Sequence, residues 1–408
     1  MEKPSVIGWL VVAVAALGVS ASAAPIQGPD TTTQGNWVGV YGSQGYVLPA
    51  YARATGGAVN PGSNADDLAS LPAAIDDYTV GFYTTSGAGR GRGLWSASTT
   101  DVRALQDPAN PSGARKANYW FDSSGFDVTM KLNQPARYNM SVYTMSWDSA
   151  ARNERIVVPG KTSVDTGDIY DGNWYTTDVS GDEFSPIRFS IEKLGGTNAV
   201  IQAITFDTAT DDATQGSWVG TYGADGYILP GFGGTAFPGT NANDVFDLPE
   251  YVDDYSLIPA GRSGRFQWAS STADPRGVQD PTGTSRKANC YFCDDGFTLH
   301  LDANIPTYFD LSLYLLDWDT GGQRAGSIEI PSMGVDDAVA GYNNGRWYLY
   351  RVYAGPDDPL DVTFTQSSGN AVVSAICFDN AYTFPEPATL TLVGGGLLLA
   401  AWRRRRRR

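Results

Sequence analysis

Residues 35–49 read GNWVGVYGSQGYVLP, and residues 216–230 read GSWVGTYGADGYILP. The likeness continues downstream in the same order. Asn64-Ala65-Asp66-Asp67 and Asp76-Asp77-Tyr78 return at Asn241 and at Asp253-Asp254-Tyr255. WSASTTDVRALQDP from Trp95 returns as WASSTADPRGVQDP from Trp268, and Arg115-Lys116-Ala117-Asn118 as Arg286-Lys287-Ala288-Asn289. Trp147-Asp148, Trp174-Tyr175 and Asn198-Ala199-Val200 have counterparts in Trp318-Asp319, Trp347-Tyr348 and Asn370-Ala371-Val372. Matches that keep their order identify a tandem duplication. Each copy is roughly 170–180 residues long, an ordinary domain size. The expected modules are 31–209 and 212–383, with a short linker around 208–213.

Within each copy apolar and polar residues alternate, as at 138–143, 188–191, 309–315 and 362–364. Period-two runs rich in Val, Ile, Thr and aromatics, bounded by Gly, Pro, Asn and Asp, are strands joined by turns. Helical periodicity is nearly absent between the two ends. The fold class expected is all-β: two tandem antiparallel β-sandwich modules of jelly-roll type, with an N-terminal signal helix and a short C-terminal transmembrane helix. Asp171-Gly172 and Asn344-Gly345 read as hairpin turns. In Trp174-Tyr175 and Trp347-Tyr348, one member is expected to face in and one out.

Residues 1–24 read as a secretory signal peptide. Lys3 supplies the positive start, 6–19 an apolar run broken only by Gly, and Ala21-Ser22-Ala23 a small-residue cleavage site. The other end, 384–408, has three parts: Phe384-Pro385-Glu386-Pro387, an apolar run over 388–402, and arginines 403–408. As a helix that run reaches about 22 Å, short of a ~30 Å hydrocarbon core. The arginines stay cytoplasmic by the positive-inside rule. This tripartite end resembles the PEP-CTERM sorting signal of Gram-negative bacteria. The resemblance implies recognition by a membrane exosortase, cleavage near Pro385, Glu386 and Pro387, transient inner-membrane anchoring, and delivery to the cell surface or extracellular matrix. Chains with this signal are commonly linked with exopolysaccharide and biofilm.

Among the 408 residues, 42% are apolar and 12% aromatic, ample for a buried core. Lys and Arg number 28 against 44 Asp and Glu, a net charge of −16, and six of the basic residues are the terminal arginines. Phosphate-backbone binding needs clustered basic side chains, so nucleic acid is not an expected partner. One His and three Cys leave little for His-centred or thiol chemistry. The glycine-rich stretch 87–93 lacks the strand-then-helix setting of a phosphate loop.

The candidate ligand-binding residues are Trp95, Asp101 and Arg103 in the first copy and Trp268, Asp274 and Arg276 in the second. A flat ring with a few polar groups suits a sugar, which has one C–H face and a rim of hydroxyls. The competing reading puts the tryptophans in the core and makes each Asp–Arg pair a loop staple. Asp76, Asp77, Asp253 and Asp254 are candidates for calcium, which takes six to eight oxygens, against a solvated acidic surface. No other cofactor is expected. In an oxidising compartment Cys290 and Cys293 are candidates for a disulfide, with Cys377 spare; the first copy has Tyr119 and Asp122 at the C-x-x-C positions. His300 has no obvious triad partner.

The repeat, through GNWVGVYGSQGY, the WASS segment ending in Asp-x-Arg, Leu316-Asp317-Trp318-Asp319 and the closing strand 370–378, also resembles galactose-binding-like β-sandwich modules of secreted bacterial proteins and glycoside hydrolases. The resemblance implies a binding module. The expected function is that of an exported, non-catalytic surface or matrix protein that binds exopolysaccharide or acts structurally in biofilm, with signal peptidase and exosortase as processing partners. A secreted polysaccharide hydrolase and a matrix protein without a defined ligand are the alternatives.

Overall fold

The computed structural model describes residues 25–383 except 86, 149 and 150. The signal peptide and sorting tail expected from the sequence lie outside the described residues. Among the described residues no helix is long and apolar enough to cross a membrane.

Among the described residues the alternating sequence folds into antiparallel sheets, three in each half. In the first half the largest sheet runs in the order Gln27–Asp30, Asn173–Gly181, Ala136–Thr144, Ala203–Thr208, Gly45–Leu48, Leu68–Ser70. In the second the order is Thr210–Asp211, Arg346–Ala354, Thr307–Leu315, Ala375–Thr383, Gly226–Leu229, Val245–Asp247. The neighbours are distant in sequence, as in sandwich crossovers. Among the described residues, every ladder pairs strands within 27–208 or within 210–383.

Each large sheet has a hydrophobic cluster on both faces. Met140 and Val142 pack with Phe126, Val128 and Phe206 on one side, while Tyr143 packs with Trp37 and Trp174 on the other. This corrects the one-in, one-out expectation: Trp174 and Tyr175 are both buried, and so are Trp347 and Tyr348. Consecutive strand residues point to opposite faces, and here both faces are dry.

Gly172 and Gly345 do sit in tight turns, with φ of +84° and +78°. The strands they join pair with other partners, so these are crossovers between sheets and not hairpins. A Cβ at Gly172 would collide with the Tyr143 hydroxyl, and one at Gly345 with that of Tyr314.

Asp67 and Asp244, from the acidic stretches, are buried anchors. Asp67 accepts hydrogen bonds from Arg92 Nε (3.1 Å), the Tyr78 hydroxyl (3.0 Å), Trp120 Nε1 (3.0 Å) and the Ala50 amide (2.6 Å). Asp244 accepts from Arg265, the Tyr255 hydroxyl and the Gly231 amide. Burial raises the Asp67 carboxyl, and Arg92 beside it pulls the other way. These anchors fix the strands Arg90–Thr99 and Ser263–Ala269, which carry Trp95 and Trp268.

Side chains join the halves. Asp310 accepts from Arg137 Nη1 (3.3 Å) of the first half and Arg351 Nη1 (3.2 Å) of the second, and Asp337 accepts from Gln44 (2.7 Å) and Thr208 (2.8 Å). A cleft of about 520 Å³ between them is lined by Arg137, Lys161, Asp178 and Asp310.

Candidate functional site

Trp95 and Trp268 each lie on a strand paired to the Arg-Lys-Ala-Asn strand, Arg115–Asp122 in the first half and Arg286–Cys293 in the second. Both rings are half-buried. In both halves an arginine covers the ring from the loop after the Trp-Asp pair. The guanidinium carbon of Arg152 is 5.5 Å from the Trp95 ring, and that of Arg324 is 5.5 Å from the Trp268 ring, within cation–π range. Each arginine also donates from Nε to an Asn-Ala-Val asparagine: Arg152 to Asn198 at 2.8 Å, Arg324 to Asn370 at 2.7 Å.

The two copies then diverge. In the first, Tyr119 stacks on Trp95 with ring centroids 3.9 Å apart. Every nitrogen of Arg152 makes a hydrogen bond: beside Nε, Nη1 bonds Ser146 (2.8 Å) and Asp148, and Nη2 bonds Thr197 (3.3 Å). In the second, Cys290 stands in place of Tyr119 and Gly369 in place of Thr197. Arg324 Nη1 is held by Asp317 and by Asp319 (2.6 Å), while Nη2 makes no hydrogen bond to any described residue. The Arg324 side chain is only 6% exposed. What opens is a groove of about 210 Å³, walled by Phe237, Phe266, Trp268 and Phe292, with Arg324 and Asp319 among its polar lining. Phe237 is 60% exposed despite its size.

The residues expected beside the tryptophans do something else. Arg103 pairs with Asp101 at 2.8 Å and Arg276 with Asp274 at 2.8 Å. Each guanidinium donates to a backbone carbonyl across the fold, of Tyr170 (3.1 Å) or Asn343 (2.9 Å). Each also lies over an aromatic ring, Arg103 at 5.1 Å from Trp147 and Arg276 at 4.5 Å from Trp318. The hydrogen bonds from Arg103 and Arg276 hold the Asp101 and Asp274 carboxyls below their ordinary range. Among the described residues no hydrogen bond, ion pair or ring contact joins these pairs to Trp95 or Trp268, so the staple geometry holds. Sequence reasoning missed Arg152 and Arg324. The signal was there, since both follow a repeated Trp-Asp, but a one-residue insertion in the second copy hid the match.

The four calcium candidates do not converge. Asp77 and Asp254 each accept from the next amide, at 2.8 Å, and Asp76 reaches Lys131 at 3.4 Å. Among the described residues no group of three or more His, Cys, Asp or Glu side chains is gathered for a metal. The expected disulfide is also corrected: Cys290, Cys293 and Cys377 are all free and buried. Positions i and i+3 of a strand face opposite ways with Cα atoms about 10 Å apart, beyond the roughly 4.4–6.8 Å of a bridge. Cys290 lines the groove, and burial pushes its thiol far above the ordinary value. His300 does have partners, Asp361 at 2.6 Å on Nδ1 and Asp302 at 3.3 Å on Nε2. Ser256 stands opposite on the next strand, but no hydrogen bond joins it to His300, and both imidazole nitrogens are taken by carboxylates.

The PEP-CTERM protein-sorting motif matches residues 385–407. No curated protein matches the chain. Among solved structures, the extracellular domain of ANXUR1 from Arabidopsis thaliana aligns over 84% of this chain and 97% of its own, at 10% identity and a TM-score of 0.26. The plant receptor-like kinase FER aligns over 83% and 96%, at 12% identity and 0.25. A calcium-binding mutant of Bacteroides uniformis beta-glucuronidase 2 aligns over 64% of this chain and 28% of its own, at 15% identity and 0.26. At these scores none of the three bears on ligand, activity or domain type. The sorting motif marks the chain as exported, attached to the membrane before processing, and a substrate of an exosortase.

Proposed function

We propose that this is a non-catalytic, glycan-binding protein of the cell surface or extracellular matrix of a Gram-negative bacterium, with exopolysaccharide as its partner. The observation that carries the reading is the aromatic-walled groove at Trp268, floored by a buried, incompletely hydrogen-bonded Arg324. Sugars present an apolar face to rings and hydroxyls to polar groups, and export under the sorting motif supports a partner outside the cytoplasm. The galactose-binding-like character of the two halves belongs to the same proposal.

The test is retention of the purified chain on exopolysaccharide extracted from the producing cells, beside a reducing-sugar assay on the same polymer. Retention without sugar release supports the reading. Release of reducing ends contradicts it and favours a hydrolase; absence of both contradicts it and favours a matrix protein without a defined ligand.

A further inference from the structure

The geometry points to one sugar site per chain: the Trp268 groove takes a single neutral sugar residue, its C–H face on the aromatic wall and two adjacent hydroxyls shared between Arg324 and Asp319, while the first half's equivalent is closed. This rests on the glycan-binding reading and specifies its site, ligand class and stoichiometry.

Three differences at matched positions of the two halves produce the opening. At the first, the Tyr119 ring covers Trp95, whereas the short Cys290 leaves that face of Trp268 uncovered. Position 93 is Gly, and a Cβ there would sit 2.6 Å from Tyr119; its counterpart is Phe266, which stands edge-on to Trp268 at 6.1 Å and becomes a wall. Phe266 and a tyrosine at 290 would compete for the same space, so the two substitutions belong together. At the third, Thr197 accepts one of the two Arg152 Nη2 N–H groups, whereas Gly369 supplies no side-chain partner for Arg324 Nη2.

The polar groups set the ligand's chemistry. Arg324 Nη2 is a fixed donor, immobilised by Asp317, Asp319 and Asn370 through its other nitrogens. Asp319 spends Oδ1 on that guanidinium, and its Oδ2 makes no hydrogen bond to a described residue. A donor and an acceptor anchored on one ion pair match a pair of neighbouring hydroxyls, one accepting from nitrogen and one donating to carboxylate. Arg324 is already balanced by two carboxylates, and Arg262, which also lines the groove, by Asp294, so no net positive charge selects an acidic sugar. The ~210 Å³ volume is below the roughly 300–1,000 Å³ that encloses a drug-sized ligand, which suits one ring and not an oligomer.

The experiment is calorimetric titration of the full chain in mild detergent with methyl galactoside, glucoside, mannoside and glucuronide, alongside its binding to the extracted polymer. The expected result is saturation at one equivalent by at least one neutral glycoside, with the glucuronide tenfold weaker or silent. The double variant Phe266→Gly/Cys290→Tyr, which installs the first half's own packing, should lower affinity at least tenfold with unchanged unfolding; Trp95→Ala should leave affinity within twofold. Two equivalents, preference for the glucuronide, or undiminished binding by the folded double variant overturns the inference. Polymer binding without any glycoside binding overturns it while leaving the glycan reading intact. Loss of polymer binding altogether removes that reading too.

Discussion

Tyr119 lies against Trp95 with ring centroids 3.9 Å apart and an interplanar angle of 30°, filling in the first half the space that forms a groove in the second. Trp95 thus has Tyr119 and Arg152 at its ring, while among the described residues the ring and cation contacts of Trp268 are the edge of Phe266 and Arg324, beside its packing on the core. Trp95→Ala is expected to destabilise the protein by about 3 kcal/mol and Trp268→Ala by about half as much, since truncating a well-packed Trp costs roughly 3–5 kcal/mol and an open one less. Urea unfolding of the two variants checks this. The reverse order would mean that Trp268 is the structural ring.

The buried Asp67–Arg92 pair should behave as a unit. Asp67→Ala leaves a buried guanidinium without its carboxylate, which costs about 3–5 kcal/mol. Adding Arg92→Met should then restore part of that loss. A double-mutant cycle with strictly additive losses would show that the two residues do not share one interaction.

Much of this fold can be read in the chain, because a duplication doubles every signal. The strand alternation and the order of matched segments come directly from residue periodicity. The two-sided burial of Trp174-Tyr175 does not, because period two tells which residues share a face and not how many faces are covered. The hairpin expectation at Asp171-Gly172 failed for a related reason: a turn signal is local, while the partner of each strand is chosen by the crossover. At the site, the aromatic segment was legible and its neighbours were not. Asp101 and Arg103 stand two apart in sequence and pair with each other; Arg152 reaches Trp95 only through the tertiary fold.

Glu154 is fully buried in the first half, accepting from the Val200 amide at 2.6 Å and contacting Thr144 at 3.1 Å. Burial, only partly offset by these hydrogen bonds, pushes its carboxyl up from 4.5 to about 8. A carboxyl raised on folding binds more protons folded than unfolded, so stability falls as pH rises between those values. The fall is at most about 1.4 kcal/mol per pH unit from one group. Glu154→Gln keeps an acceptor for Val200 and should flatten this slope, raising stability at pH 8 more than at pH 5. An unchanged difference between the two proteins across that range would contradict the assignment.

Asp310, 5% exposed, holds Arg137 from one half and Arg351 from the other. Asp310→Ala should cost about 1.5–3 kcal/mol by removing charged hydrogen bonds, since Arg137 keeps Asp178 and Arg351 keeps Asp182. It should also separate the unfolding of the halves, giving two calorimetric transitions where the unaltered protein gives one. A single transition at an unchanged midpoint would show that the contact contributes nothing to their coupling.

The most direct test of the account is to follow the indole N–H signals of the 11 tryptophans by ¹H–¹⁵N NMR while adding fragments of hydrolysed exopolysaccharide. The account predicts that the Trp268 signal, assigned by Trp268→Phe, shifts in a saturable way while the Trp95 signal stays in place. A saturable shift at Trp95 with none at Trp268, or no shift at any indole, would contradict it.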